Sequence, residues 1–179
     1  MNADEVLQFW FEALKPAQWW RANPALDAVI RERFGALHRE AASAELYAWR
    51  GTPRGRLAEV IVLDQFSRNL HRGTPHAFAC DAMALVLAQE AVDRGVAATL
   101  QPRECAFLCM PFMHSESRRI QAESERLFRE PGLADNLESA LAHKAVVDRF
   151  GRFPHRNAIL GRESTAEELA FLTQPGSRF

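Results

Sequence analysis

The sequence predicts an all-α fold, and three observations carry that prediction. Caps, prolines and glycines recur at helix-length intervals, alternating runs of β-branched residues are absent, and alanine, leucine, glutamate and arginine dominate. The first helix opens at Asn2, which stands three residues before Glu5 in capping-box spacing, with Val6, Leu7, Phe9 and Trp10 supplying the apolar face. Asn23 and Pro24 read as a cap followed by proline at the first helical position, opening a helix to about Trp49. The phrase "RGTP" occurs twice, at 50–53 and 72–75, each copy offering glycine to end one helix, threonine to cap the next and proline with its φ already helical. A further helix is expected from about 75 to 94, closed by Gly95. A long stretch from 102 to 130 follows, interrupted near Pro111 and restarting with Ser115 as its cap. Pro131 and Gly132 end it; another helix runs from 133 to 150, and a short last one opens at Ser164, three residues before Glu167. Short links between such helices suggest antiparallel hairpins stacked side by side.

The chain of 179 residues is expected to form one domain, 1–179, with a sizeable core. A formal net charge of −1 argues against nucleic acid and against a membrane surface as partners, so any basic site must be local. The amino terminus lacks the features of a secretory signal and no apolar run reaches about 18 residues, so a cytoplasmic location is expected. Cys80, Cys105 and Cys109 are an odd number and are read as small core residues rather than a disulfide framework.

Helical phase singles out polar groups that face inward. Leu57, Val60 and Ile61 define a stripe that continues through Asp64 and Arg68, four apart and able to pair. They are either a buried ion pair that fixes helix packing or the charged floor of a site whose arginine takes an anion. In "CMPFMHSESRR", His114 and Glu116 share a pocket only if the helix breaks near Pro111; a continuous helix would send them to opposite sides. The spacing is not that of a helical zinc site, so no metal and no cofactor are expected. His143 falls on the apolar arc of Val146, Val147 and Phe150, as a core group bonded to a backbone carbonyl or as an acid–base group, while Lys144 and Asp148 read as an exposed pair.

The stretch "RFGRFPHRNAILGR", 149–162, is a shaped turn: Gly151 permits a left-handed exit and Pro154 restrains the chain. Phe153 and Ile159 anchor it, leaving Arg152, His155, Arg156 and Asn157 as directed donors, the arginines suited to carboxylate or phosphate. The chain has 20 arginines against two lysines, so the choice of arginine over lysine here also reflects composition.

"DQFSRNLHRGTPHAFACD", "MPFMHSE" and "RFGRFPHRNAILGRESTAEELAFL", with the aromatic "FWF" at 9–11, together resemble domain of unknown function 924, a largely bacterial family. Ser67 stands where proline is expected, and His71 where an apolar residue is. The resemblance implies a tetratricopeptide-like array of helices and supplies no activity. It marks Asp64, Gln65, Arg68, Asn69, Arg72, His114, Glu116, Arg149, Arg152, His155, Arg156 and Asn157 as candidates for one shared site.

Three functions compete. The first is a helical scaffold with an arginine- and histidine-lined pocket for a small anionic molecule or an acidic peptide end, its ligand-binding set being Asp64, Arg68, Asn69, Arg72, Arg149, Arg152, Arg156 and Asn157. The alternative is an enzyme of hydrolase or lyase type in which His114 or His155 works with Glu116 as acid and base. The third makes the polar residues a structural network, with Trp10, Trp19, Trp20 and Trp49 building an interface for a protein partner or a homo-oligomer.

Overall fold

Asn2 accepts from the Glu5 amide at 2.9 Å while the Glu5 carboxylate accepts from the Asn2 amide at 2.7 Å, so the capping box forms and starts α1, Ala3–Gln8. The structure is a computed structural model that describes residues 1–177. Helix α1 runs straight into a π turn, Phe9–Ala13, which carries the aromatic "FWF" into the core. Asn23 caps α2, Pro24–Ala42, with Pro24 in the first position as expected.

Helix α2 ends seven residues short of Trp49. Ala44 adopts φ 58°, and the Ala44 and Glu45 amides fold back onto the Ala41 and Glu40 carbonyls at 2.9 Å. That is a left-handed closure that glycine usually makes, so no glycine announced it. A 3₁₀ turn, Tyr47–Gly51, then leads to the first "RGTP".

The two copies of that phrase behave differently. Thr52 accepts from the Gly55 amide at 3.0 Å and caps α3, Pro53–Ile61. A Cβ on Gly55 would lie 2.0 Å from the Trp49 carbonyl oxygen, so this helix start fits under the preceding turn only with glycine. Thr74 instead donates to the His71 carbonyl, Pro75–Phe78 forms a 3₁₀ turn, and the α-helix begins later. Between the copies, α3 continues through a π turn, Val62–Phe66, into α4, Ser67–Leu70, as one rod.

Helix α5, Asp81–Asp93, closes at Gly95 with φ 72°. Helix α6, Pro102–Met113, runs through Pro111 rather than breaking there, and the expected Ser115 cap is replaced by Ser117, which caps α7, Arg118–Phe128. Proline removes one amide, but the Phe112 carbonyl and Met110 carbonyl still accept from Ser115 and His114, so the ladder lasts until those residues. Helix α8, Leu137–Phe150, exits through Gly151 at φ 71°. Helix α9, Ala166–Leu172, is capped by Thr165 with Glu168, one residue beyond the expected Ser164 and Glu167, because the Ser164 hydroxyl takes the Asn157 amide.

Among the described residues there is no strand, and no helix is long and apolar enough to cross a membrane. Helix α3 packs on α1 and α5, α2 lies along the α4 end of the rod, and α5 to α8 follow one another as neighbours, which fits stacked hairpins. One apolar cluster runs from Val6 to Ala140 around Trp10, Phe34, Phe66, Leu108 and Phe128. A smaller one, Val146, Val147 and Phe153 with Phe150 and Phe171, seats the 149–162 turn between α8 and α9. Cys80, Cys105 and Cys109 are free and buried. Trp10 is buried and Trp19 and Trp49 pack against the core, whereas Trp20 is exposed.

Candidate functional site

The stripe of Leu57, Val60 and Ile61 does continue to Asp64, which the second π turn carries into the interior at 1% exposure. Its Oδ1 meets His114 Nδ1 at 2.8 Å and Arg68 Nη1 at 3.1 Å, and its Oδ2 accepts from Gln65 Nε2 at 2.6 Å. Burial alone would push the Asp64 carboxyl up, but the Arg68 guanidinium and His114 outweigh it and hold the group well below the usual carboxylate range. An ionised carboxylate only accepts, so His114 Nδ1 is the donor in this bond.

Arg68 extends the network, since its amino groups grip both Asp81 oxygens at 3.0 and 3.2 Å. Burial works against the Arg68 charge, and the two aspartates more than restore it. Arg156 closes the far side by donating to Asp81 Oδ2 at 3.2 Å and to the His114 carbonyl at 3.0 Å. Its guanidinium lies 4.5 Å from the Phe78 ring centre and 4.6 Å from that of Phe153. Burial pulls its pKa down to about 10, although Asp81 opposes the change.

A cleft of about 410 Å³ opens over this network. Asp81, His114, Ser115, Glu116 and Arg156 supply its polar lining, and Phe78, Leu85 and Leu160 supply apolar wall. The late break after Met113 puts His114 and Glu116 on the same cleft. Glu116 is held by Arg162 through two bonds of 2.7 and 2.9 Å and by the Phe153 amide at 2.7 Å. Burial would raise its pKa, but Arg162 and that amide lower it. A second hollow of about 450 Å³ lies over Glu5, Phe9, Glu12 and Arg33, away from every candidate site residue.

The remaining candidates disperse. Asn69 and Arg72 turn to α2, where both bind the buried Asp27, Arg72 through bonds of 2.8 and 2.9 Å. Arg152 holds Glu168 through bonds of 2.7 and 2.8 Å, and Asn157 donates to Ser164 and Glu168. Arg152 is the main reason that the Glu168 pKa falls to about 2. Arg149 pairs with Glu167 at the surface. His155 packs on Phe153 with ring centres 5.7 Å apart and does not line the cleft. His143 bonds the Ser139 carbonyl at 2.7 Å, and burial, with the nearby His114, lowers its pKa to about 3.

Asp81 and Arg162 are functional neighbours that sequence reasoning did not single out. Both lie inside the motifs already quoted, but their partners are 13 and 46 residues away, a distance at which spacing carries no signal. Among the described residues no group of three or more histidine, cysteine or carboxylate side chains could hold a metal ion.

A family model described as "Bacterial protein of unknown function (DUF924)" matches residues 6–176. The fold is similar to the solved structure of a protein of unknown function, ATU0120 from Agrobacterium tumefaciens, with a TM-score of 0.90 and 38% identity over 95% of this chain and 96% of that one. No curated protein matches the sequence. The chain belongs to the DUF924 family.

Proposed function

We propose that this DUF924 chain is an acid–base enzyme for a small molecule, with His114 as its proton-transferring group and Asp64 as the residue that positions it. The observation that carries this reading is the 2.8 Å bond from Nδ1 of His114, which lines the cleft, to a buried, ionised aspartate behind that lining. A fixed tautomer leaves Nε2 to take a proton from water or substrate, and the carboxylate then stabilises the imidazolium. Arg156 and Glu116, on the same lining, fit the roles of oxyanion donor and substrate holder. Glu116 is a weaker acid–base candidate than His114, because Arg162 already claims both its oxygens.

The binding-scaffold reading retains one support: Arg156 uses a single N–H on each of its two amino nitrogens, so it has donors to offer an anion. Against a purely anionic ligand, Arg68, Arg72, Arg149, Arg152, Arg156 and Arg162 each already hold a carboxylate.

The test combines nitrogen-detected NMR with turnover screening on small esters, amides and β-eliminating compounds. The wild type is expected to show His114 protonated at Nδ1, with the tautomers mixing in Asp64→Asn. Turnover should fall by about 10²- to 10⁴-fold in His114→Gln. A tautomer unaffected by Asp64→Asn, or turnover unchanged in His114→Gln, would overturn the reading.

A further inference from the structure

We propose that the ligand of the cleft is a small zwitterion, an α-amino acid or dipeptide with an apolar side chain, an inference that rests on the cleft being the small-molecule site. The argument is an account of charge and unspent hydrogen bonds. Around the cleft three guanidiniums, Arg68, Arg156 and Arg162, face three carboxylates, Asp64, Asp81 and Glu116. A ligand of either net charge would leave that charge uncompensated beside an apolar wall, which is costly. A zwitterion adds none.

Both poles have a partner. Arg156 is 7% exposed, its Nε–H finds no acceptor among the described residues, and each amino nitrogen keeps one N–H beyond its bond to Asp81 or to the His114 carbonyl. It is the donor edge for a carboxylate, desolvated by Phe78 and Phe153 on either side. Among the described residues Glu116 Oε2 accepts only from Arg162, at 2.7 Å, and Asp81 Oδ1 makes its closest bond to Arg68 at 3.0 Å. Each keeps a lone pair for an ammonium, so the acceptor edge lies on the same lining as the donor. Ser115 adds one hydroxyl to the lining, while Phe78, Leu85 and Leu160 form an apolar stretch of wall that suits an aliphatic or aromatic side chain. A volume of about 410 Å³ is at the small end for ligand cavities, the scale of one or two residues rather than a long peptide.

His114 Nε2 then meets a molecule whose ammonium carries a removable proton. Taking that proton gives a neutral amine and an imidazolium bonded to Asp64, with no other reactant required.

The experiment is an amide-NMR titration of the full chain with L-leucine and Leu-Ala, against N-acetyl-leucine, which lacks the ammonium, and leucinamide, which lacks the carboxylate. Saturable shifts at Phe78, Leu85, His114 and Leu160 are expected with leucine or Leu-Ala, with binding at least tenfold weaker for both controls. Leu85→Trp, which fills the apolar wall without touching a charge, should abolish the shifts while the protein stays folded. The proposal is overturned if either control binds as tightly as its zwitterionic parent, if Leu85→Trp leaves binding intact, or if no compound saturates. His114-dependent turnover without zwitterion binding would sink the ligand class alone; zwitterion binding with turnover indifferent to His114→Gln would sink the acid–base reading alone.

Discussion

Two buried aspartates lie at opposite ends of the same structural idea. Asp27 accepts a two-bond clamp from Arg72 plus the Asn69 amide, and the Arg72 side chain leans 43% into solvent. Asp64 is sealed, and its partners are a guanidinium, an amide and an imidazole that borders a cleft. The motif "DQFSRNLHR" feeds both, since Asp64 reaches His114 at the end of α6 and Arg68 reaches Asp81 at the start of α5, whereas Asn69 and Arg72 reach Asp27 on α2. Arginine beside carboxylate therefore does not mark a site in this protein. What separates the regions is a titratable ring joined to the carboxylate and open space beside it.

The sharpest way to break this comparison is to delete the two carboxylates. Asp64→Ala removes the one carboxylate that Arg68, His114 and Gln65 share, leaving Arg68 with Asp81 alone, and should cost about 3–5 kcal/mol in urea unfolding, against roughly 1–2 kcal/mol for Asp27→Ala, whose arginine can turn to water. Equal losses would make the two regions the same kind of structure.

Acid should act on both regions through one neutral histidine each. His38, toward the other end of α2 from Asp27 and bonded to Ser67, has its pKa lowered to about 4 by burial and by His71, and His143, beside His114, is lowered to about 3. The unfolded chain binds these protons near pH 6.5, so each contribution is complete above that pH and is lost as pH falls toward the folded value. About 3 kcal/mol for His38 and about 5 kcal/mol for His143 should disappear over those windows, measured as unfolding free energy against pH. His38→Gln and His143→Gln should each flatten the slope by about 1.4 kcal/mol per pH unit, and a slope unchanged in both would remove the histidines from the account.

Smaller effects set the scale. Arg72→Ala should cost about 1 kcal/mol, because Asn69 still serves Asp27, and the loss should shrink when its partner is already Ala in a double-mutant cycle. Arg149→Ala, which breaks a pair exposed on both sides, should change the thermal midpoint by less than about 0.5 kcal/mol equivalent.

The inward course of Asp64 and Arg68 was legible because three- and four-residue spacing fixes a helix face. The π turn over Asp64 was not, since it comes from how the rod packs rather than from a local residue preference. Sequence left His114 and Glu116 either together or apart, and the answer depended on the ladder surviving Pro111 by a few residues. The first "RGTP" cap was readable, yet the second failed because the Thr74 hydroxyl found the His71 carbonyl first. His143 was readable as an inward residue, and its carbonyl partner four residues back is the one a helix always offers. Asp27, Asp81, Arg162 and Glu168 went unseen because each is chosen by tertiary proximity.

A π turn is an α-helix carrying one surplus residue, accommodated so that the flanking segments keep their phase. Residues 62–66 could therefore lose one member and leave Leu57 and Leu70 facing as they do now, with the rod intact. The casualty would be the angle at which Asp64 meets His114, shifted by about 100° of helical turn. Among relatives, then, a single-residue gap at this point would be the mark of a lineage that kept the architecture and gave up the site, even where every charged residue is still spelled out.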